Sequence, residues 1–191
     1  MRIELSRQAL LSELREQVKD LSEQNLLACY QCGKCSAGCP IAEEMDLLPN
    51  QVIRLAMIGA RDLVLRSRTP WLCAQCETCT TRCPEEIDIA GVMDKLRKIA
   101  LDEGIKPPES GIYRFNRIFV DSIRKRGRVY ELGMVMRYNM LSGQPMKDAD
   151  MGPAMFLKQK IAPLPHGVKD KGRIRRIFER SRRFMAGGEA K

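Results

Sequence analysis

Histidine and aromatic residues are scarce in this sequence. His166 is the only histidine among 191 residues, so neither a multi-His zinc site nor a two-His Rieske centre can be built from this chain. A Ser-His-Asp triad would have to use His166, which sits in the Pro-rich stretch PLPHGV, where a solvated loop histidine is the ordinary outcome. One Trp, four Tyr and five Phe leave a core that must lean on Leu, Ile, Val, Met and Ala. No apolar run approaches the roughly 18 residues of a membrane-spanning helix. The opening MRIELSRQALLSELREQ has no signal-peptide h-region, so the expectation is a cytoplasmic chain with no direct membrane insertion. There is no G-x-G-x-x-G after a strand and no P-loop, hence no signal for a flavin, nicotinamide or nucleotide site. No stretch alternates strictly with a period of two, which leaves an all-α fold.

What is present is unevenly placed. Residues 1–105 carry 13 basic and 16 acidic residues, and residues 106–191 carry 20 basic and 8 acidic. All eight cysteines lie in the first part. In a chain with no export signal they point away from disulfides and towards metal or redox work.

Helical periodicity runs along most of the chain. Leu10, Leu14, Val18 and Leu21 predict an amphipathic helix over roughly 6–24, with Ser6 as its cap. A second helix is expected from Pro49 to about Ser67, with Asp46 helping to satisfy its open amides. Ile89, Val92, Met93, Leu96, Ile99 and Ala100 mark a third, ending near Gly104. The tail predicts a helix along Ile112–Ile123 that ends at Gly127, and another along Val129–Leu141 stopped by Ser142-Gly143-Gln144-Pro145. Residues 143–172 read as an extended connector. A last, very basic helix should carry Ile174, Ile177, Phe178 and Phe184 on its apolar side. The resulting division is a helical segment over 1–27, a Cys-bearing domain over 28–105 and a basic extension over 106–191.

One internal repeat dominates. Cys29-Tyr30-Gln31-Cys32-Gly33-Lys34-Cys35-Ser36-Ala37-Gly38-Cys39-Pro40 recurs as Cys73-Ala74-Gln75-Cys76-Glu77-Thr78-Cys79-Thr80-Thr81-Arg82-Cys83-Pro84, offset by 44 residues. Both copies are C-x2-C-x2-C-x3-C-P, the two-cluster ferredoxin spacing. Three thiolates two residues apart can wrap one face of a 4Fe–4S cubane, while the fourth, displaced and followed by Pro, points to the neighbouring cluster. Cys29, Cys32, Cys35 and Cys83 are therefore expected to hold one 4Fe–4S cluster. Cys73, Cys76, Cys79 and Cys39 are expected to hold the other. Paired C-x2-C units also bind zinc, but a four-Cys zinc site needs neither the third Cys at this spacing nor the Pro. All eight thiols are used, so none remains for disulfide exchange or substrate attack, and no catalytic residue is expected. Lys34 near the first loop, against Glu77, Glu85 and Glu86 near the second, suggests a higher potential for the first cluster.

With both motifs placed, the chain resembles the C-type iron–sulfur subunit of heterodisulfide reductase. The resemblance rests on CYQCGKCSAGCP and WLCAQCETCTTRCP across a helix-rich gap, and on the tail phrases GRVYELG, DADMGPAMFLKQKIAPLP and RIRRIFE. It implies an α-helical ferredoxin-like domain in a hetero-oligomer with a flavin/iron–sulfur subunit and a Cys-rich catalytic subunit. In such complexes the C-type subunit passes single electrons towards reduction of a disulfide, the coenzyme M–coenzyme B heterodisulfide in methanogens. A wiring subunit of a related sulfur-metabolism or quinone-linked dehydrogenase complex is the alternative.

The basic tail is expected to dock on acidic surfaces of partner subunits. It lacks a recognised nucleic-acid module and has few stacking aromatics, so no nucleic-acid partner is expected. Its Met-rich stretches (Met134, Met136, Met140, Met146, Met151, Met155) read as adaptable packing, not as a soft-metal site.

Overall fold

The computed structural model describes Leu14, residues 16–18, 26–147, 149–160 and backbone through 164–185. Among the described residues the chain is helical, with no strand. It divides into two compact units, Met1–Ile112 and Tyr113–Lys191.

Beyond its N-terminal segment, the first unit carries, among its described residues, the α-helices α1 (Lys34–Ala37), α2 (Pro49–Met57), α3 (Arg61–Leu65), α4 (Thr69–Leu72), α5 (Thr78–Thr81) and α6 (Ile89–Asp102). Leu14 and Val18, one turn apart on the expected N-terminal helix, are fully buried in helical backbone. Ser6 and most of that helix lie outside the described residues. Helix α2 starts on Pro49 at its first position, and the Leu48 amide donates to Gln51 Oε1 at 2.9 Å. Its Val52, Ile53 and Ala56 are buried. Helix α6 starts on Asp88, whose carboxylate accepts from the Gly91 amide at 2.8 Å. It buries Ile89, Val92, Met93, Leu96, Ile99 and Ala100, the predicted stripe. With Val64, Leu65, Trp71 and Ile87 these side chains make the core. Each fully buried Leu, Ile or Val contributes about 1.5–3 kcal/mol of transfer free energy.

The run expected from Pro49 to Ser67 as one helix is two. Gly59 takes a φ of 72°, and the Ala60 amide reaches back to the Leu55 carbonyl at 2.9 Å, closing a Schellman stop. The same device ends α6 at Gly104, where the Ile105 amide bonds the Ala100 carbonyl at 2.8 Å.

The second unit contains α7 (Ser110–Arg126, which begins just before the division), α8 (Glu131–Leu141), α9 (Met151–Leu157) and α10 (Lys171–Met185). The stretch expected to be an extended connector thus carries a helix of its own, α9. Helix α7 ends at Gly127, φ 80°, where a Cβ would lie 2.2 Å from Val168 Cγ2. The Val168 amide bonds the Arg126 carbonyl at 3.0 Å, so the returning connector seals this helix end. Of the apolar side expected for α10, Ile174 and Phe178 are half-buried and Ile177 is exposed; the Phe184 side chain lies outside the described residues. Few side chains are buried in this unit, chiefly Ile118, Ser122 and Asn139.

Asp46 does not serve α2 as expected. Its carboxylate accepts from the amides of Arg68 (2.8 Å) and Thr69 (3.0 Å) and from the hydroxyls of Ser67 (2.9 Å) and Thr69 (2.8 Å). It thereby ties the segment after the first Cys motif to the turn that leads into the second. Burial alone would raise this carboxyl. The hydrogen bonds from Arg68, Thr69 and Ser67 outweigh that and hold it below the ordinary carboxylate value. A depressed folded-state value means stabilisation that is present above about pH 4 and lost as pH falls through the folded value. Asp46→Asn should cost about 2 kcal/mol, a modest figure for this many donors because the carboxylate is partly solvated. In thermal unfolding at pH 7 that is a drop of about 4–8 °C, shrinking as the pH is lowered.

Candidate metal centre

The two Cys loops have the same backbone. Gln31 and Gln75, 44 residues apart, take φ values of 62° and 52°; Gly33 and Glu77, also 44 apart, take 78° and 58°. Left-handed conformation at a non-glycine residue costs of order 1 kcal/mol, so three such residues in two short loops mark a backbone that the surrounding structure holds in place. The loops then enter α1 and α5, which pack on each other. At this contact Gly38 lies under Arg82: a Cβ on Gly38 would stand 2.5 Å from Arg82 Nη1. These two residues also occupy matching positions, each preceding the fourth Cys of its motif.

The residue after each third Cys fastens its loop to the helix that follows. Ser36 Oγ donates to Asn50 Oδ1 at 2.6 Å and accepts from the Asn50 amide at 3.0 Å, the second residue of α2. Thr80 Oγ1 donates to Asp88 Oδ1 at 3.1 Å and accepts from the Ala90 amide at 3.4 Å, the second residue of α6. Sequence reasoning missed both. The signal was available in the repeat, which places a hydroxyl after Cys35 and after Cys79.

The eight thiols fall into two groups. Cys29, Cys32, Cys35 and Cys83 line one small cavity, together with Lys34, Ile53, Ile87 and Ile89. Cys39, Cys73, Cys76 and Cys79 line a second, together with Met45, Glu77, Ile89 and Met93. Each cavity therefore takes three thiols from one motif and the last thiol from the other. Cys35 is buried, Cys32 and Cys76 are exposed, and the other five are half-buried. Gln31 Nε2 donates to Cys29 Sγ at 3.2 Å. Burial pushes the Cys35, Cys73 and Cys79 thiols up; the Thr78 hydroxyl, 3.4 Å from Cys76 Sγ, lowers that thiol. Against the burial of Cys73, the cation of Arg97 favours its thiolate.

This donor set fits a sulfur-ligated cluster. Among the described residues no three His, Cys, Asp or Glu side chains converge as closely as a single bound ion requires. The four thiols of each group instead line a space shared with several apolar side chains and with Lys34 in the first cavity and Glu77 in the second. Buried polar atoms point the same way: Arg97 Nε and Nη2 have no hydrogen-bond partner among the described residues, and this cation lies near enough to Cys73 to favour negative charge on the second thiol group. His166 is exposed.

Residues 25–87 match the family of 4Fe-4S dicluster domains. Relatives include the C-type subunit of the H(2):CoB-CoM heterodisulfide,ferredoxin reductase of Methanothermobacter marburgensis, 32% identical over 96 residues, which cover 50% of this chain and 52% of the relative. The C-type iron-sulfur subunit of the CoB--CoM heterodisulfide reductase of Methanopyrus kandleri is 33% identical over 98 residues, 49% of this chain and 51% of the relative. A protein of Archaeoglobus profundus named for its likeness to the C-type heterodisulfide reductase subunit is 29% identical over 125 residues, 65% of this chain and 60% of the relative. The chain spans about half the length of the curated relatives it matches.

Removing either loop hydroxyl, by Ser36→Ala or Thr80→Val, should lower stability by about 1 kcal/mol. Thr80→Ser should restore most of it. Thermal unfolding of the anaerobically purified variants reads this directly.

Proposed function

We propose that this chain, an iron–sulfur protein with a 4Fe-4S dicluster domain and related to the C-type subunits of heterodisulfide reductases over its Cys-bearing part, relays single electrons within a multi-subunit reductase. The observation that carries the reading is the crossed grouping of thiols around two neighbouring cavities. Cys29, Cys32, Cys35 and Cys83 would hold one 4Fe–4S cluster, and Cys73, Cys76, Cys79 and Cys39 the other. When bound, each cluster supplies reversible one-electron chemistry. The chain's own residues supply the setting. Ile53, Ile87, Ile89 and Met93 keep water from the inner sides of the cavities, while Cys32 and Cys76 bring one edge of each to the surface, where a partner can exchange electrons.

The proposed partners are a flavin/iron–sulfur subunit on one side and a Cys-rich catalytic subunit on the other, reducing a disulfide such as the CoB–CoM heterodisulfide that the relatives' names specify. The organisation proposed for this role is an N-terminal helix over 1–27, the cluster domain over 28–105 and a docking extension over 106–191. Support for docking comes from the second unit, where Met136, Met140, Met146, Phe156 and Leu157 are exposed on helices and turns with little core beneath them. Helix α10 adds Arg173, Arg175, Arg176, Arg180, Arg182 and Arg183, all exposed. Exposed apolar surface on this scale marks an interaction face, and the arginines suit an acidic one. Among the described residues no helix is long and apolar enough to cross a membrane. The proposed location is the cytoplasm.

The crossed ligation has a distinctive test. Cys83→Ser, although its residue belongs to the second motif, should perturb the electron paramagnetic resonance (EPR) signal of the cluster held by Cys29, Cys32 and Cys35; Cys39→Ser should perturb the other. If each serine instead disturbs the cluster of its own motif, the crossover is wrong. Deleting residues 173–191 should weaken assembly with the partner subunits and leave the iron content unchanged. Mass spectrometry of the complex purified anaerobically provides the readout.

A further inference from the structure

Helix α6 forms part of the wall of the second cavity through Ile89, Ala90 and Met93. Arg97 stands one turn beyond Met93 and so shares that face. Its side chain is only 15% exposed, and Nε and Nη2 find no hydrogen-bond partner among the described residues. The acid paired with it is Asp94, 3.5 Å from Nη2 and itself 58% exposed, a geometry too long and too wet to neutralise a buried guanidinium. A buried cation with idle donors is costly unless something nearby carries negative charge.

We infer that Arg97 is the counter-charge of the second thiol group and makes the cluster held by Cys39, Cys73, Cys76 and Cys79 the easier of the two to reduce. The inference rests on the two-cluster reading above. Four thiolates around a +2 core leave about −2, and uptake of one electron takes the set to about −3, with no bond broken and no proton taken up. A fixed cation alongside favours the more negative state. The charges first singled out in the sequence act the other way, since Lys34 lines the first cavity and Glu77 the second. Both are exposed, whereas Arg97 is mostly buried. The same charge at the same distance acts roughly fourfold more strongly across a protein-like dielectric than across water. Arg97 therefore sets the order, and Lys34 and Glu77 modify it.

The test uses the full chain purified anaerobically, titrated with dithionite and followed by EPR. Cys76→Ser first identifies the signal of the second cluster through its altered line shape. Arg97→Gln should leave iron and sulfide content unchanged and make reduction of that cluster roughly tenfold less favourable, a midpoint about 59 mV lower. The other midpoint should stay in place, and Arg97→Lys should recover most of the loss. Asp94→Asn, at an exposed position where folding is not at stake, should shift the same midpoint upwards. No shift in either variant, or a shift confined to the first cluster, overturns the role of Arg97. Iron for fewer than two clusters in the wild-type chain would instead overturn the two-cluster reading, and the iron assay separates the two failures.

Discussion

The structure depends on a sharing rule: each cavity takes three thiols from one motif and one from the other. Cys83 stands with Cys29, Cys32 and Cys35, and Cys39 with Cys73, Cys76 and Cys79. The surrounding structure holds the two loops in register. Helices α1 and α5 meet between the loops, the Ser36 and Thr80 hydroxyls tie each loop to its following helix, and Asp46 ties the two repeats together along the chain. The strained Gln31, Gln75 and Glu77 backbones are tolerable inside such an over-determined frame.

The sequence made the chemistry legible because thiol spacing is a local property. C-x2-C-x2-C-x3-C-P, read twice at one offset, leads to the same grouping of thiols as the one that lines the two cavities, without knowledge of the packing. Helices α6, α7 and α8 were legible because their apolar periods are long and end in Gly. The break at Gly59 was harder to see: Leu63 and Val64 continue an apolar pattern across a Schellman stop, and the pattern does not register the φ of 72°. Asp46 was read as a cap for the nearest helix, yet its partners are 21 to 23 residues away, a pairing fixed by tertiary structure alone. Arg97 gave no signal in the sequence, because burial is not written in composition.

The two units face different physical problems. The first packs a dense aliphatic core behind its thiols and has few large apolar side chains in water. The second buries little, leaves Met and Phe side chains exposed and closes its helix ends with turns and returning loops. Its Phe115 ring meets Phe119 and Tyr138 at centroid distances of 6.4 and 5.9 Å, a small aromatic cluster where a larger unit would have a full core. Thioether side chains adapt to whatever surface covers them.

The contact between Gly38 and Arg82 shows that the repeat is not a symmetric one. The two positions are equivalent in the two motifs and touch each other where the loops meet. One carries a long cation that lies over the bare backbone of the other. A second arginine at position 38 would bring two like charges together, so at this point the halves are complementary parts and not copies.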